Sequence, residues 1–265
     1  MSDVAKSKEL LKRYSIARIP FIAIDTIERS RTLDILKEIS EELAIQIYVH
    51  TLSKGVYDIA TEKVISDDKS VYGAIDFMSE QMKRKQNMTL VLTEPPDIST
   101  DNADAKQILD LVTLANESGG VIMVLTNNAV WNRLQRQGLI IKIDLPNEDE
   151  MYSIIKEYID DYRNEIPIEW DNSDIREAAA MLAGVTRIEA ENVIAALIAN
   201  KSIKKSDMDE IRHAKDRLFS DISGLEKIEV DDSVKDVGGL EGLRKWLNEK
   251  KELLTPEKRD ELRSK

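Results

Sequence analysis

The sequence predicts an α/β fold in which a parallel sheet is covered by helices on both faces and is followed by a small all-α unit. In the first part of the chain, short apolar runs alternate with amphipathic helical patterns, as in parallel sheets. After Pro167 the helical patterns follow one another without a strand between them. Aromatic residues make up only 5% of the chain, which favours helix-rich packing over a β-sandwich.

Five segments of the first part are predicted to be strands of this sheet. Each is a short apolar or alternating run bounded by turn residues. The clearest of them, Val121-Ile122-Met123-Val124-Leu125, follows the helix-stopping pair Gly119-Gly120. The predicted strands are residues 21–24, 45–49, 88–92, 121–125 and 139–143. A small hairpin is predicted beside the second strand, at residues 55–59.

Helical patterns precede, separate and follow these strands. Leu10, Leu11 and Tyr14 form one face of a charged opening helix. Thr26 is a candidate N-cap for the helix after the first strand. Other predicted helices lie near residues 71–82, 103–118, 148–162, 174–183, 187–199 and 206–219. The chain is thereby predicted to consist of an α/β region at 1–166, a helical region at 167–219 and a C-terminal region at 220–265 that begins with an acidic linker.

Composition excludes several classes of function. A formal net charge of −12 disfavours broad electrostatic binding to nucleic acid. The chain has no cysteine, which excludes thiolate ligands and nucleophiles, and two histidines argue against a histidine-rich metal site, so no metal is predicted. The N-terminus lacks the apolar core of a signal peptide, and no apolar run approaches the roughly 20 residues that span a bilayer. We therefore expect a cytoplasmic protein without a membrane partner.

The segment after the first strand lacks the residues of a phosphate loop. In the motif G-x-x-x-x-G-K-[ST], glycines let backbone N–H groups surround the phosphates and the lysine reaches them. Here Asp25-Thr26-Ile27-Glu28-Arg29-Ser30 contains no glycine and no lysine, and Glu28 would add negative charge near a phosphate. The motif does not occur elsewhere in the sequence.

Later strands end in polar residues that fit fragments of a nucleotide-hydrolysing site. Thr93 and Glu94 follow the third strand, where an Asp for Mg²⁺ and a Glu that orients water would stand. Thr93 in place of the Asp weakens any metal site. Asn127 and Asn128 follow the fourth strand and could bond a γ-phosphate or a water molecule. The alternative is that these residues simply end a strand and form a turn.

Near the C-terminus, Asp236-Val237-Gly238-Gly239-Leu240 precedes a helical pattern that contains Trp246. This segment, and the order of the preceding parts, resemble AAA-type ATPases. The preceding parts include Trp131-Asn132-Arg133-Leu134-Gln135-Arg136, Leu145-Pro146-Asn147-Glu148-Asp149-Glu150 and Leu182-Ala183-Gly184-Val185-Thr186. The resemblance is to bacterial and plastid AAA proteins whose first ATPase-like domain is degenerate and whose second is intact.

This resemblance implies a five-stranded RecA/AAA-like sheet and specific roles for the three regions. Residues 1–166 would be a degenerate large subdomain, residues 167–219 its helical lid, and residues 220–265 the linker and first helices of a second ATPase domain. Val237 and Gly238 would contact adenine, but only together with that following domain. Arg133 and Arg136 would resemble the arginine finger offered to a neighbour's γ-phosphate; the alternative is a solvated helix face.

Three hypotheses for function remain open from the sequence. The first is a non-hydrolysing regulatory or assembly region of an AAA ATPase, which pairs with itself or with a C-terminal ATPase domain. The second is a self-sufficient nucleotide-binding ATPase or sensor with a non-standard phosphate loop, and the third is a stand-alone protein-interaction adaptor. The resemblance implies ATP and Mg²⁺ for the full-length family, whereas no cofactor and no catalytic activity are expected of this chain alone.

Overall fold

The computed structural model describes residues 3–223 and 245–246 of the chain. The chain divides into two units, Met1–Lys215 and Asp216–Lys265. Most of the second unit lies outside the described residues, so the fold given below is that of Met1–Lys215. Among the described helices, none is both long and apolar enough to cross a membrane.

A seven-stranded sheet forms the centre of the Met1–Lys215 unit. Its strands are β1 (Phe21–Asp25), β2 (Ile47–Thr51), β3 (Gly55–Asp58), β4 (Val64–Ser66), β5 (Thr89–Leu92), β6 (Val121–Thr126) and β7 (Gly138–Lys142). Their spatial order is β4-β3-β2-β5-β6-β1-β7. The pairs β2–β5, β5–β6, β6–β1 and β1–β7 are parallel, whereas β2–β3 and β3–β4 are antiparallel.

The predicted parallel α/β sheet is confirmed, but it has two strands more than the five expected. The additional strands are β3, which forms the hairpin predicted beside the second strand at residues 55–59, and β4; both extend the sheet beyond β2 as an antiparallel meander. Gly55 allows the tight turn into β3 because its φ is +77°, in the left-handed region. The second strand begins at Ile47 rather than at residue 45, because the Ile45 N–H still donates to the Ser40 carbonyl at the end of the preceding helix.

Helices cover both faces of the sheet and continue after it. Those of the described residues are α1 (Asp3–Ile16), α2 (Arg29–Leu43), α3 (Val71–Met82), α4 (Ala103–Ser118), α5 (Asn132–Gln135), α6 (Glu148–Tyr162), α7 (Asn172–Leu182), α8 (Arg187–Ala199) and α9 (Met208–Ser223). The predicted cap is wrong for α2: Thr26 lies before the cap position, which Glu28 occupies without a side-chain cap. The Thr26 hydroxyl instead accepts the Glu28 N–H at 2.9 Å.

Alternation of side chains along the strands builds two apolar layers. Phe21 and Ile122 point into the layer that also contains α3 and α4, and Ile22 and Met123 point into the layer that contains α1 and α2. All four side chains are fully buried. Burial on both faces explains why these strands appear in the sequence as continuous apolar runs.

The helical subdomain, residues 148–215, contains α6, α7, α8 and the start of α9. Helix α6 packs against α7 and α8. The predicted domain boundaries at 166 and 219 remain predictions. A parallel bridge joins Ile168 to Ile203. The segment that connects α6 to α7 therefore runs beside the segment that connects α8 to α9.

Candidate functional site

The candidate site lies at the carboxyl edge of the sheet, where β6 stands between β5 and β1. In open α/β sheets, ligands bind outside this edge, near the point where the strand order reverses. Glu94, Asn127 and Asn128 line one cleft of about 280 Å³. Asp25, Asn127 and Asn128 line a second cleft of about 250 Å³. The structure thus brings together three of the predicted site residues.

Thr93 does not face this cleft. It is 4% exposed, and its hydroxyl donates to the His50 carbonyl at 3.0 Å. The hydroxyl therefore ties the end of β5 to β2. A threonine in this setting offers no carboxylate to a divalent cation.

The Glu94 carboxylate forms an ion pair with Arg29, which lies in the first turn of α2. Its Oε1 lies 3.1 Å from Nη1 of Arg29, and both side chains are about half exposed. This ion pair spans from the end of β5 to the start of α2. Asn127 and Asn128 are exposed, and the Asn128 N–H donates to the Thr126 hydroxyl at 3.0 Å, as in a turn.

The connection from β1 to α2 is the position at which an NTPase of this topology holds phosphates. Only Thr26, Ile27 and Glu28 separate the end of β1 from the start of α2. The Thr26 N–H donates to the Thr126 carbonyl at 3.2 Å, and the Glu28 N–H donates to Thr26 itself. Two of the three backbone donors in this turn are therefore used within the protein.

Glu28 is the least expected element of the site. Its side chain is only 3% exposed. Oε1 accepts the N–H of Arg187, the first residue of α8, at 2.7 Å, and Oε2 lies 3.8 Å from Nη1 of Arg31. Burial raises the pKa of Glu28, and the Arg187 N–H bond and the positive charge of Arg31 oppose that rise. The carboxylate thus lies between α2 and α8 with partners on both sides.

Arg31 extends the same network to α6. Its Nη1 donates to the Asp144 carbonyl at 2.8 Å, and its Nη2 donates to Glu150 Oε2 at 2.7 Å. Glu150 is the third residue of α6 and forms a capping box with Asn147. We call Glu28, Arg31, Glu150 and Arg187 the interface network, because they join α2 to α6 and α8.

Sequence reasoning missed this network. It treated Glu28 only as a charge that would repel phosphate, and it assigned no role to its partners. Glu28 and Arg187 are 159 positions apart, and Arg31 and Glu150 are 119 apart. No local pattern connects residues at such separations, so the sequence carried no signal of their contact.

The two arginines proposed as finger residues lie elsewhere on the surface. Arg133 belongs to α5 and Arg136 follows it, and both are exposed. Within the described part of the chain, neither takes part in an ion pair. The Arg133 guanidinium lies 5.8 Å from the centroid of the Trp131 ring, whereas among the described residues Arg136 has no such ring contact.

Two further predicted site residues belong to the C-terminal region. Val237 and Gly238, expected to contact adenine, lie outside the described residues. Among residues 3–223 and 245–246, no cluster of three or more His, Asp or Glu side chains is arranged to hold a metal ion.

Several solved structures share this fold at low sequence identity. The E. coli MS115-1 HORMA:CdnC:Trip13 complex contains a chain with a TM-score of 0.56 and 10% identity, covering 79% of this chain and 87% of that one. C. elegans PCH-2 gives a TM-score of 0.54 at 11% identity, with 82% and 67% covered. Rhizobiales Trip13 gives 0.50 at 15% identity, with 76% of each chain covered. At such identities the likeness concerns the fold alone.

Matches to protein families are more specific. No curated protein matches the chain by sequence. The family described as "SpoVK-like AAA ATPase, N-terminal domain" matches residues 7–143, which is more than half of the chain. The family described as "SpoVK-like AAA ATPase, second domain" matches residues 149–221. The predicted resemblance to AAA ATPases is confirmed, and the chain belongs to the SpoVK-like AAA ATPase family.

Proposed function

We propose that the Met1–Lys215 unit is a non-hydrolysing AAA domain with a regulatory or assembly role in an AAA ATPase. The observation that carries this proposal is the buried carboxylate of Glu28 in the turn between β1 and α2. A phosphate at that turn would meet a negative charge that is already bonded to α8. ATP therefore does not fit this edge of the sheet.

Two further features support the proposal. The turn between β1 and α2 is shorter than the motif G-x-x-x-x-G-K-[ST], and two of its three backbone donors are bonded within the protein. Glu94, the residue that would orient an attacking water, pairs with Arg29. A residue that orients an attacking water must accept a hydrogen bond from it, and the Glu94 carboxylate is already paired with a cation.

Calorimetric titration of the purified chain with ATP and Mg²⁺ tests the proposal. We expect no binding heat, because the phosphate position holds a buried anion and two of the three N–H groups of the turn are already bonded. Competition against a fluorescent ATP analogue detects any binding whose enthalpy is too small to measure by calorimetry. Saturable binding at micromolar concentrations in either assay would overturn the proposal and would favour the hypothesis of a self-sufficient nucleotide sensor.

The surface around α5 supports a role in assembly. Arg136 is exposed and is not restrained by an ion pair among the described residues, so it can reach an anion on another subunit. We propose that its partner is the γ-phosphate of an ATP-bound AAA domain, either in a second copy or in a catalytic domain of the same protein. Arg133 would support it from the same helix.

In an active AAA assembly that contains this chain, Arg136→Ala should lower the rate of ATP turnover while the circular dichroism spectrum stays unchanged. A complete arginine finger contributes about 1000-fold or more to turnover, which sets the upper range of the effect. Arg84→Ala is the matched control, because Arg84 is also exposed but precedes β5, at the amino end of the strands. Equal turnover by the two variants would rule out the finger role.

A further inference from the structure

The contact between Glu28 and α8 completes the start of that helix. The first N–H groups of a helix have no partner within it. In α8, Thr186 is the N-cap and accepts the Glu189 N–H, which leaves the Arg187 N–H to be satisfied from outside the helix. Glu28 Oε1 supplies that acceptor at 2.7 Å. A carboxylate at this position is also favoured by the partial positive charge of the helix N-terminus.

The backbone of Glu28 is fixed by the first turn of α2. The Glu28 carbonyl accepts both the hydroxyl of Thr32, at 2.7 Å, and the Thr32 N–H, at 2.9 Å, in the first turn of α2. Arg31 lies beside Oε2 and reaches on to Glu150 in α6. Glu28 is thus anchored in α2 and bonded to α8, and Arg31 joins the same turn of α2 to α6.

We propose that Glu28 is a built-in anion that latches the helical subdomain to α2, so that this arrangement persists without a bound ligand. The proposal rests on the proposed function, since it assigns to a side chain the place that a ligand's phosphate would otherwise take. Phosphates and carboxylates bind helix N-termini for the same physical reason. The latch makes the Met1–Lys215 unit a rigid building block whose internal geometry does not respond to nucleotide.

Another contact could hold the subdomain instead. Arg187 Nη1 lies 3.1 Å from Asp34 Oδ2, and its Nε lies 2.6 Å from Glu191 Oε1. The Asp34 pair is on the surface, with side chains 35% and 58% exposed, and such pairs contribute about 0–1 kcal/mol. The decisive experiment must therefore separate the backbone N–H of Arg187 from its side chain.

A pair of substitutions at position 187 makes this separation. Arg187→Ala removes the side-chain pairs and keeps the N–H, whereas Arg187→Pro removes both. Proline is well tolerated at the first position of a helix. The preceding residue, Thr186, has φ −69° and ψ 158°, a conformation that a following proline favours. The two variants thus differ chiefly in the N–H that Glu28 accepts.

The chain contains no cysteine, so a pair of spin labels can be attached site-specifically. Glu41 in α2 and Ala196 in α8 are exposed positions for Glu41→Cys and Ala196→Cys. Without nucleotide, the label-to-label distance distribution should be narrow in the parent and in Arg187→Ala. It should broaden and shift to longer distances in Arg187→Pro. Matching distributions for Arg187→Ala and Arg187→Pro would overturn the latch.

A second variant covers the case in which Arg187→Pro does not fold. Glu28→Ala should broaden the same distribution, and added formate should narrow it again by filling the vacated carboxylate position. Formate should leave the parent and the surface control Glu80→Ala unchanged. If formate has no effect on Glu28→Ala, the latch is overturned. Because no nucleotide is present in either experiment, ATP binding by the parent would contradict the proposed function without altering this result.

Discussion

Replacing Trp170 with alanine should lower the free energy of unfolding by about 3–5 kcal/mol, the usual cost of truncating a buried tryptophan. Trp170 is 1% exposed and precedes α7. It is among the largest fully buried side chains of the described chain. Urea unfolding followed by far-UV circular dichroism measures the effect.

The expected cost is large because Trp170 joins two segments of the helical subdomain. Its indole N–H donates to the Lys204 carbonyl at 2.9 Å. Beside it, the Glu169 N–H donates to the Ile203 carbonyl at 2.9 Å, and the Ile203 N–H donates to the Pro167 carbonyl at 3.0 Å. Alanine would remove both the ring that fills the space and the donor that satisfies Lys204.

Trp170→Phe is the matched control. It keeps most of the apolar ring but leaves the Lys204 carbonyl without its donor, so its cost should be smaller, about 1–3 kcal/mol. Equal unfolding midpoints for the parent and Trp170→Ala would show that the subdomain does not depend on this side chain. Equal costs for the alanine and phenylalanine variants would show that the hydrogen bond, not the ring, carries the effect.

Replacing Arg31 with alanine should also lower the free energy of unfolding by about 3–5 kcal/mol, because it leaves a buried carboxylate without its cation. The Arg31 side chain is 10% exposed, and those of Glu28 and Glu150 are 3% and 19% exposed. Loss of the guanidinium would also leave the Asp144 carbonyl without its donor. The same denaturant titration reports the change.

Arg29 offers a control within the same helical turn. It too pairs with a glutamate, Glu94, but the two side chains are 43% and 52% exposed. Arg29→Ala should therefore cost no more than about 1 kcal/mol. Arg31→Met keeps the aliphatic stem without the charge and should recover little of the loss. A cost for Arg31→Ala as small as that for Arg29→Ala would contradict a structural role of the interface network.

Much of the fold could be predicted because its signals are local. Strand β6 is a continuous apolar run after two glycines, and α4 and α6 are preceded by the N-caps Asn102 and Asn147, whose side chains accept N–H groups three residues ahead. Strand β4 was missed, since its three residues are exposed or half-buried and show no alternation of burial. Such a short edge strand is defined by pairing with its neighbour β3 and not by its own residues.

Part of the candidate site could likewise be predicted from local sequence, and part could not. The polar residues after β5 and β6 were found from strand ends alone, because parallel strands bring their carboxyl ends to one edge. That edge unites Glu94 with Asn127 and Asn128, while Thr93 turns away to bond β2. The direction of a side chain at a strand end depends on which neighbour offers a partner, and sequence spacing does not reveal this.

By itself, the sequence determined the α/β class, the succession of elements, the family resemblance and the lack of a phosphate-loop motif. Each of these follows from residue type and short-range spacing. Only the tertiary structure decided what Glu28 does. Its partner Arg187 is 159 positions away, and Glu150 is 119 positions from Arg31, the neighbour of Glu28 in α2; chain folding alone brings these residues within hydrogen-bonding distance. A residue that the sequence presents as a mere obstacle to phosphate is, in the folded chain, a buried contact between the sheet's helix α2 and the helical subdomain.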